Sequence, residues 1–227
     1  MQPPGKRVVV WRGYPHCRPR PGQSLPGTFS QSKLAVPDPP LNPQPVTEIA
    51  AHLAERLERV GCDYALGGAV ALSCWTEPRG TVDVDVSLFL PIDDLTQTIE
   101  VFHKIGVEFT EQSSRESLAT HGFCRVEFLE RRLDVFLPIA DIYQAAKSRR
   151  QQMPIGGRQV YVWDAESLCV FKMIFFRRKD LADVESILRS QPKLEKAWIE
   201  DQLRAMYGAA DPRLARWKEI VADCHSS

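Results

Sequence analysis

The chain predicts an α+β fold: a small mixed sheet flanked by helices, followed by a helical C-terminal part. Three observations carry that prediction. Residues 79–86 alternate polar and apolar side chains with the period of a half-buried strand. Two further strand-like stretches, 123–129 and 133–137, follow at hairpin spacing. From residue 165 onward the apolar residues recur at helical spacing almost to the end.

The elements can be justified in order. Residues 1–45 hold most of the prolines, and their only acid is Asp38 against Lys6, Arg7, Arg12, Arg18, Arg20 and Lys33. Such a stretch buries too little apolar surface to fold alone, so a disordered Pro-rich basic tail is expected. An inert extension, a targeting peptide and a contact for RNA or an acidic partner all fit its composition. The folded part begins near residue 46, where Ile49, Leu53, Leu57 and Val60 share a helix face and Gly61 stops it. A strand over 63–66 leads into Gly67-Gly68 and a helix over 69–75, closed by Pro78. In the alternating strand, assigned to 81–90, Val82, Val84, Val86 and Leu88 are expected to face the core, and Thr81, Asp83, Asp85 and Ser87 the opposite side. Asp93 is the expected cap of a helix that ends before Gly106. Residues 110–122 are polar and loop-like, and Glu130-Arg131-Arg132 is the expected hairpin turn. Helices are expected over 165–176, 181–188, 194–207 and 212–223. The expected domain organisation is a tail over 1–45, a mixed-sheet core over 46–163, and a helical region over 164–227.

Bulk properties exclude several function classes. Lys plus Arg and Asp plus Glu both number 29, so no chain-wide positive field exists to hold nucleic acid. No run approaches the roughly 18 apolar residues of a membrane span, and Val8-Val9-Val10-Trp11 is too short for a secretory core. The six cysteines are scattered with no C-x-x-C, which points to reduced structural thiols and, by default, the cytoplasm.

The chemistry concentrates in a few positions. Asp83 and Asp85, two apart on a strand, lie about 6.6 Å apart at the backbone and repel unless a cation sits between them. Hard oxygen ligands of this kind suit magnesium, as one ion or two. A solvated acidic strand face is the rival. Asp134 stands among apolar neighbours in Arg132-Leu133-Asp134-Val135-Phe136, so it must be metal-bound or paired, with Arg125 or Arg132 as the pairing rivals. Gly67-Gly68 before a helix offers backbone donors to phosphate oxygens, although any tight turn uses such glycines. Lys172 interrupts an otherwise apolar helix, Leu168 to Phe176, and must either reach out to solvent or serve a polar cleft, where a triphosphate is its natural partner. Asp180 is a candidate helix cap, and Asp183 a candidate partner of Arg178. Arg79 is expected to order the strand and its carboxylates.

Taken in order, Gly67-Gly68, Arg79-x-Thr81-x-Asp83-x-Asp85, Asp134, Lys172 and Lys179-Asp180-x-x-Asp183 resemble the polymerase-beta-like nucleotidyltransferase superfamily, and within it the bacterial abortive-infection and toxin type. The resemblance spans about residues 47–190. It implies that Asp83, Asp85 and Asp134 hold two magnesium ions, and that Gly67, Gly68 and Thr81 bind the nucleotide. It also implies that Lys172 lies near the phosphates and that Asp180 and Asp183 form a supporting acidic motif. Many members carry Gly-Ser at the turn. Gly68 here removes that hydroxyl and keeps the backbone donors. The implied activity is transfer of an NMP group from an NTP, such as ATP, to an acceptor hydroxyl with release of pyrophosphate. The acceptor is an RNA end, a protein hydroxyl or a small molecule, and an antitoxin protein is the implied partner. A catalytically degenerate nucleotide-binding regulator is the alternative.

Overall fold

The computed structural model describes residues 44–225, so all but the last two residues of the expected tail lie outside the described part. The elements run α1 (Val46–Arg59), β1 (Tyr64–Leu66), α2 (Gly68–Leu72), β2 (Val84–Leu88), α3 (Leu95–Ile105), α4 (Glu111–His121), β3 (Phe123–Phe128), β4 (Arg131–Phe136), α5 (Ile142–Lys147), β5 (Gln151–Ile155), β6 (Arg158–Val162), α6 (Ala165–Phe175), α7 (Arg178–Ser190), α8 (Lys196–Tyr207) and α9 (Pro212–His225). The six strands form one mixed sheet in the order β3-β4-β2-β1-β6-β5. β2 runs antiparallel to β1 and parallel to β4, and β1 runs parallel to β6. Two antiparallel hairpins, β3–β4 and β5–β6, close the two edges. The α+β class is therefore what the chain adopts.

The central strands carry the core. α1 lays Ile49, Leu53, Ala54 and Leu57 against the sheet, all buried. Val84, Val86 and Leu88 of β2 are buried as expected, but Val82 is 63 % exposed. The reason is that the ladder begins only at Val84, so residues 81–83 are a connecting segment with no strand to set their direction. Ser87 is buried too, because β2 is an inner strand covered on both faces.

Several local expectations shift for identifiable reasons. Asp94, not Asp93, caps α3, its carboxylate accepting from the Thr96 amide at 3.2 Å. Residues expected as a loop over 110–122 form α4, which lies along β3. That helix buries only Ser114 and Leu118, so it has almost no apolar stripe to betray it. Its signals are instead an Arg115–Glu111 pair one turn apart and a left-handed Gly122 at its end. The hairpin β5–β6 was not anticipated, although Gly156-Gly157 at its turn followed by Gln159-Val160-Tyr161-Val162 is a hairpin pattern.

The β3–β4 turn is one residue shorter than the expected triplet Glu130-Arg131-Arg132 and begins one residue earlier. Leu129 and Glu130 form it, with φ of 50° and 59°. Both adopt the left-handed conformation of a mirror-image turn, which costs an L side chain roughly 1 kcal/mol or more per residue. Replacing Leu129-Glu130 with Asn-Gly is expected to raise stability by about 1 kcal/mol. A urea titration checks this, and an unchanged or lower midpoint would count against the turn geometry.

Candidate functional site

The sheet brings the predicted residues to one cleft of about 150 Å³. Gly67, Gly68, Arg79, Thr81, Asp83, Asp85, Asp134 and Lys172 all line it. Asp85 and Asp134 are paired in register across the parallel strands β2 and β4, so neighbouring backbones fix their separation. Asp83 stands just before the ladder. Asp180 and Asp183 are not on the lining and lie behind it.

Each carboxylate has a different environment. Asp134 is 9 % exposed and takes two hydrogen bonds from Arg125, Nε at 2.7 Å and Nη2 at 2.8 Å. Of the two rival partners the sequence offered, Arg125 is the one that pairs with it. Arg132 instead approaches Asp83 Oδ2 at 3.5 Å. The other Asp83 oxygen, Oδ1, is buried and accepts no hydrogen bond from the described residues. Asp85 is recessed beneath the turn, and its carboxylate has no hydrogen-bond or ion-pair partner among the described residues. Burial, then the Asp134 charge, pushes its carboxyl up to about 6, with Asp83 adding to the rise and Lys172 and Lys179 opposing it.

The glycine turn is shaped around Asp85. The Gly67 amide donates to the Asp85 carbonyl at 2.8 Å, so it is occupied within the fold. Gly68 has φ +55°, and a Cβ placed there would lie 1.8 Å from Asp85 Oδ2. A serine at this position would therefore be strained in its backbone and would displace the carboxylate. Glycine at 68 follows from where Asp85 sits. Because α2 has only five residues, its dipole adds little.

A buried ion-pair cluster runs from the cleft lining, at Lys172 and Arg79, to Asp180 and Asp183 behind it. Lys172 is 5 % exposed, with Nζ at 2.6 Å from Asp183 and 3.7 Å from Asp180. Arg79 grips Asp183 through Nε and Nη2, both at 2.9 Å. Asp183 thus pairs with Arg79 and Lys172 rather than with Arg178. Burial works to raise the Asp183 carboxyl, but the Arg79 and Lys172 hydrogen bonds outweigh it and hold it below the usual range. Asp180, fully buried, is not the first cap of α7 but its third residue. It accepts from the Arg177 amide at 3.2 Å and from Arg177 Nε at 2.6 Å. Thr81 uses its hydroxyl locally, accepting from the Asp83 amide at 3.3 Å.

An aromatic wall completes the cleft and was not foreseen. Tyr143, Trp163 and Phe171 touch edge to face or tilted, at centroid distances of 5.0–6.3 Å. The Trp163 ring carbon Cδ1 lies 3.4 Å from where a Gly67 Cβ would be, so the turn has the Asp85 side chain on one flank and this indole on the other. Trp163 follows β6, the strand missed in the sequence.

These residues fit a divalent cation in donor chemistry. Every oxygen is a carboxylate, one of them is buried without a partner, and Asp85 is crowded by like charge. Among the described residues, however, no three such side chains already converge as an ion cage. Arg125 and Arg132 hold Asp134 and Asp83 in its place.

No protein-family model matches the chain, and no curated protein matches it in sequence. Solved structures align with it at low identity. The solution structure of the antibiotic-resistance factor ANT(2'')-Ia is 14 % identical, covers 80 % of this chain and 98 % of its own, and has a TM-score of 0.49. An antigenic nucleotidyltransferase-like protein from Paracoccidioides brasiliensis is 18 % identical, with 75 % and 92 % coverage and a TM-score of 0.41. The lincomycin-bound lincosamide antibiotic adenylyltransferase LnuA is 13 % identical, with 61 % and 94 % coverage and a TM-score of 0.41. Likeness at this level carries no weight for function, which rests on the residues of the chain itself.

Asp85 has a testable consequence for stability. Its folded carboxyl binds a proton more tightly than the unfolded one, about 6 against 3.8. The native state therefore loses stability as pH rises from about 4 to 6 and stays penalised above that, by an amount on the order of 3 kcal/mol. Asp85→Asn escapes the penalty. In EDTA the variant is expected to melt above the wild type at pH 8 and level with it near pH 4. Equal offsets at both pH values would show that Asp85 is not the strained group.

Proposed function

We propose that the chain is a metal-dependent nucleotidyltransferase that moves an NMP group from an NTP to an acceptor hydroxyl. The observation that carries this reading is the gathering of Asp83, Asp85 and Asp134 beside a glycine turn, in a cleft also lined by five cations. A nucleoside triphosphate supplies the anionic counterpart to such a rim, and the carboxylates, an oxygen-only donor set, are the natural holders of magnesium. Magnesium, bound by Asp83, Asp85 and Asp134, would neutralise charge on the phosphates and acidify the hydroxyl.

The protein's own contribution is placement. Transfer of this kind asks for in-line positioning and charge neutralisation more than covalent participation. The acceptor oxygen bonds to the α-phosphorus while the bond from that phosphorus to the bridging oxygen breaks, and pyrophosphate leaves with the electron pair. Asp134 is assigned the hydroxyl proton. Arg125 occupies one direction on each of its oxygens, and a carboxylate offers about two directions per oxygen. The β2–β4 register keeps Asp85 and Asp134 at a fixed spacing throughout. Gly68 lets the turn approach Asp85 with no side chain between them.

A second reading has an observation of its own. Arg125 grips Asp134 at two points, an arrangement suited to binding nucleotide without turning it over. Incubation with magnesium, each labelled NTP and total RNA or protein separates the two. Wild type is expected to transfer label, and Asp83→Ala to lose at least about 100-fold of that rate. Nucleotide binding without transfer would favour the regulatory reading, and neither binding nor transfer would sink the proposal. The finer role of a toxin checked by an antitoxin protein adds an outcome in cells: induced wild type arrests growth, and Asp83→Ala does not.

A further inference from the structure

Of the five cations that line the cleft, four are committed to carboxylates. Arg79 holds Asp183, Arg125 holds Asp134, Arg177 holds Asp180, and Lys172 is shared between Asp183 and Asp180. Lys179 differs. It lines the same cleft, it is exposed, and it makes no hydrogen bond or ion pair among the described residues. It lines the cleft together with Asp85, and its charge works to lower the Asp85 carboxyl.

The backbone beneath Lys179 is held firmly. It is the second residue of α7, whose first turn is tied by Asp180 to the Arg177 amide and side chain. One turn further on, Asp183 anchors the helix to Arg79 and Lys172. The result is a long flexible side chain on a fixed base, with all three ammonium donors available. Lys172 is the opposite case. It is buried, and turning it toward a ligand would strip Asp183 and Asp180 of a buried countercharge, which low-dielectric surroundings oppose.

We propose that Lys179 is the cation that closes on the phosphate chain of the nucleotide. Lys172 is then a positioning residue, which fixes Asp183 and through it Arg79 and the start of α7. This inference rests on the nucleotide reading above and assigns a different residue to the phosphate contact than the sequence pattern suggested.

Calorimetric titration with inorganic tripolyphosphate and with ATP, each with magnesium, tests it. Lys179→Ala is expected to weaken both ligands about tenfold with an unchanged melting temperature, since the side chain is exposed. Lys179→Arg should recover most of that loss. Lys172→Met should lower the melting temperature while the folded protein keeps tripolyphosphate affinity within about threefold. Wild-type-like binding of tripolyphosphate by Lys179→Ala would overturn the inference and leave the nucleotide reading standing. So would a loss confined to ATP, because the lysine would then serve the nucleoside. Wild-type protein that binds neither ligand would overturn both.

Discussion

Like charge held at fixed spacing is the constraint on which the rest of the site depends. Adjacent strands lie about 4.8 Å apart, and two carboxylates at that distance repel by about 3 kcal/mol at an effective dielectric near 20. Asp85 and Asp134 occupy this situation by register, with Asp83 close by. The fold answers with cations from three directions: Arg125 and Arg132 from the β3–β4 hairpin, Arg79 from the segment before β2, and Lys172 and Lys179 from the helices. Desolvation still dominates at Asp85, whose carboxyl rises to about 6. The protein thus carries an incompletely compensated acid at its centre.

Much of this was legible in the sequence because strands report themselves by alternation. The strictly alternating run gave away β2, and with it Asp85 and the buried Val84 and Val86. The same pattern misled at Val82, since alternation persists in the sequence after the hydrogen-bond ladder has ended. Helices with a wide apolar face, such as α1 and α6, were equally plain. α4 was hidden because a polar helix anchored by Leu118 leaves no periodic trace.

What the sequence could not show is who pairs with whom. Lys172, Asp180 and Asp183 were visible as odd residues in a helical stretch. Their mutual contacts at 2.6 and 3.7 Å, and the reach of Arg79 across 104 positions to Asp183, depend on tertiary packing. The same holds for Trp163. Only once β6 is laid beside β1 does its indole meet the glycine turn. Gly68 shows the reverse direction of inference. From sequence it is a missing hydroxyl, and in space it is the one residue that leaves room for Asp85.

The parallel pairing of β2 with β4 has a consequence for how such a protein can change over time. The two strands carry Asp85 and Asp134 on inner positions of the sheet, tied to neighbours on both sides. The perimeter of the cleft is made of different material: the exposed Arg177 and Lys179, and an aromatic wall contributed by α5, α6 and the residue after β6. Substitutions at that perimeter can alter what is admitted without moving the centre. Single changes at the margin can therefore reshape the opening, while Asp85 and Asp134 keep the spacing that the strand register sets.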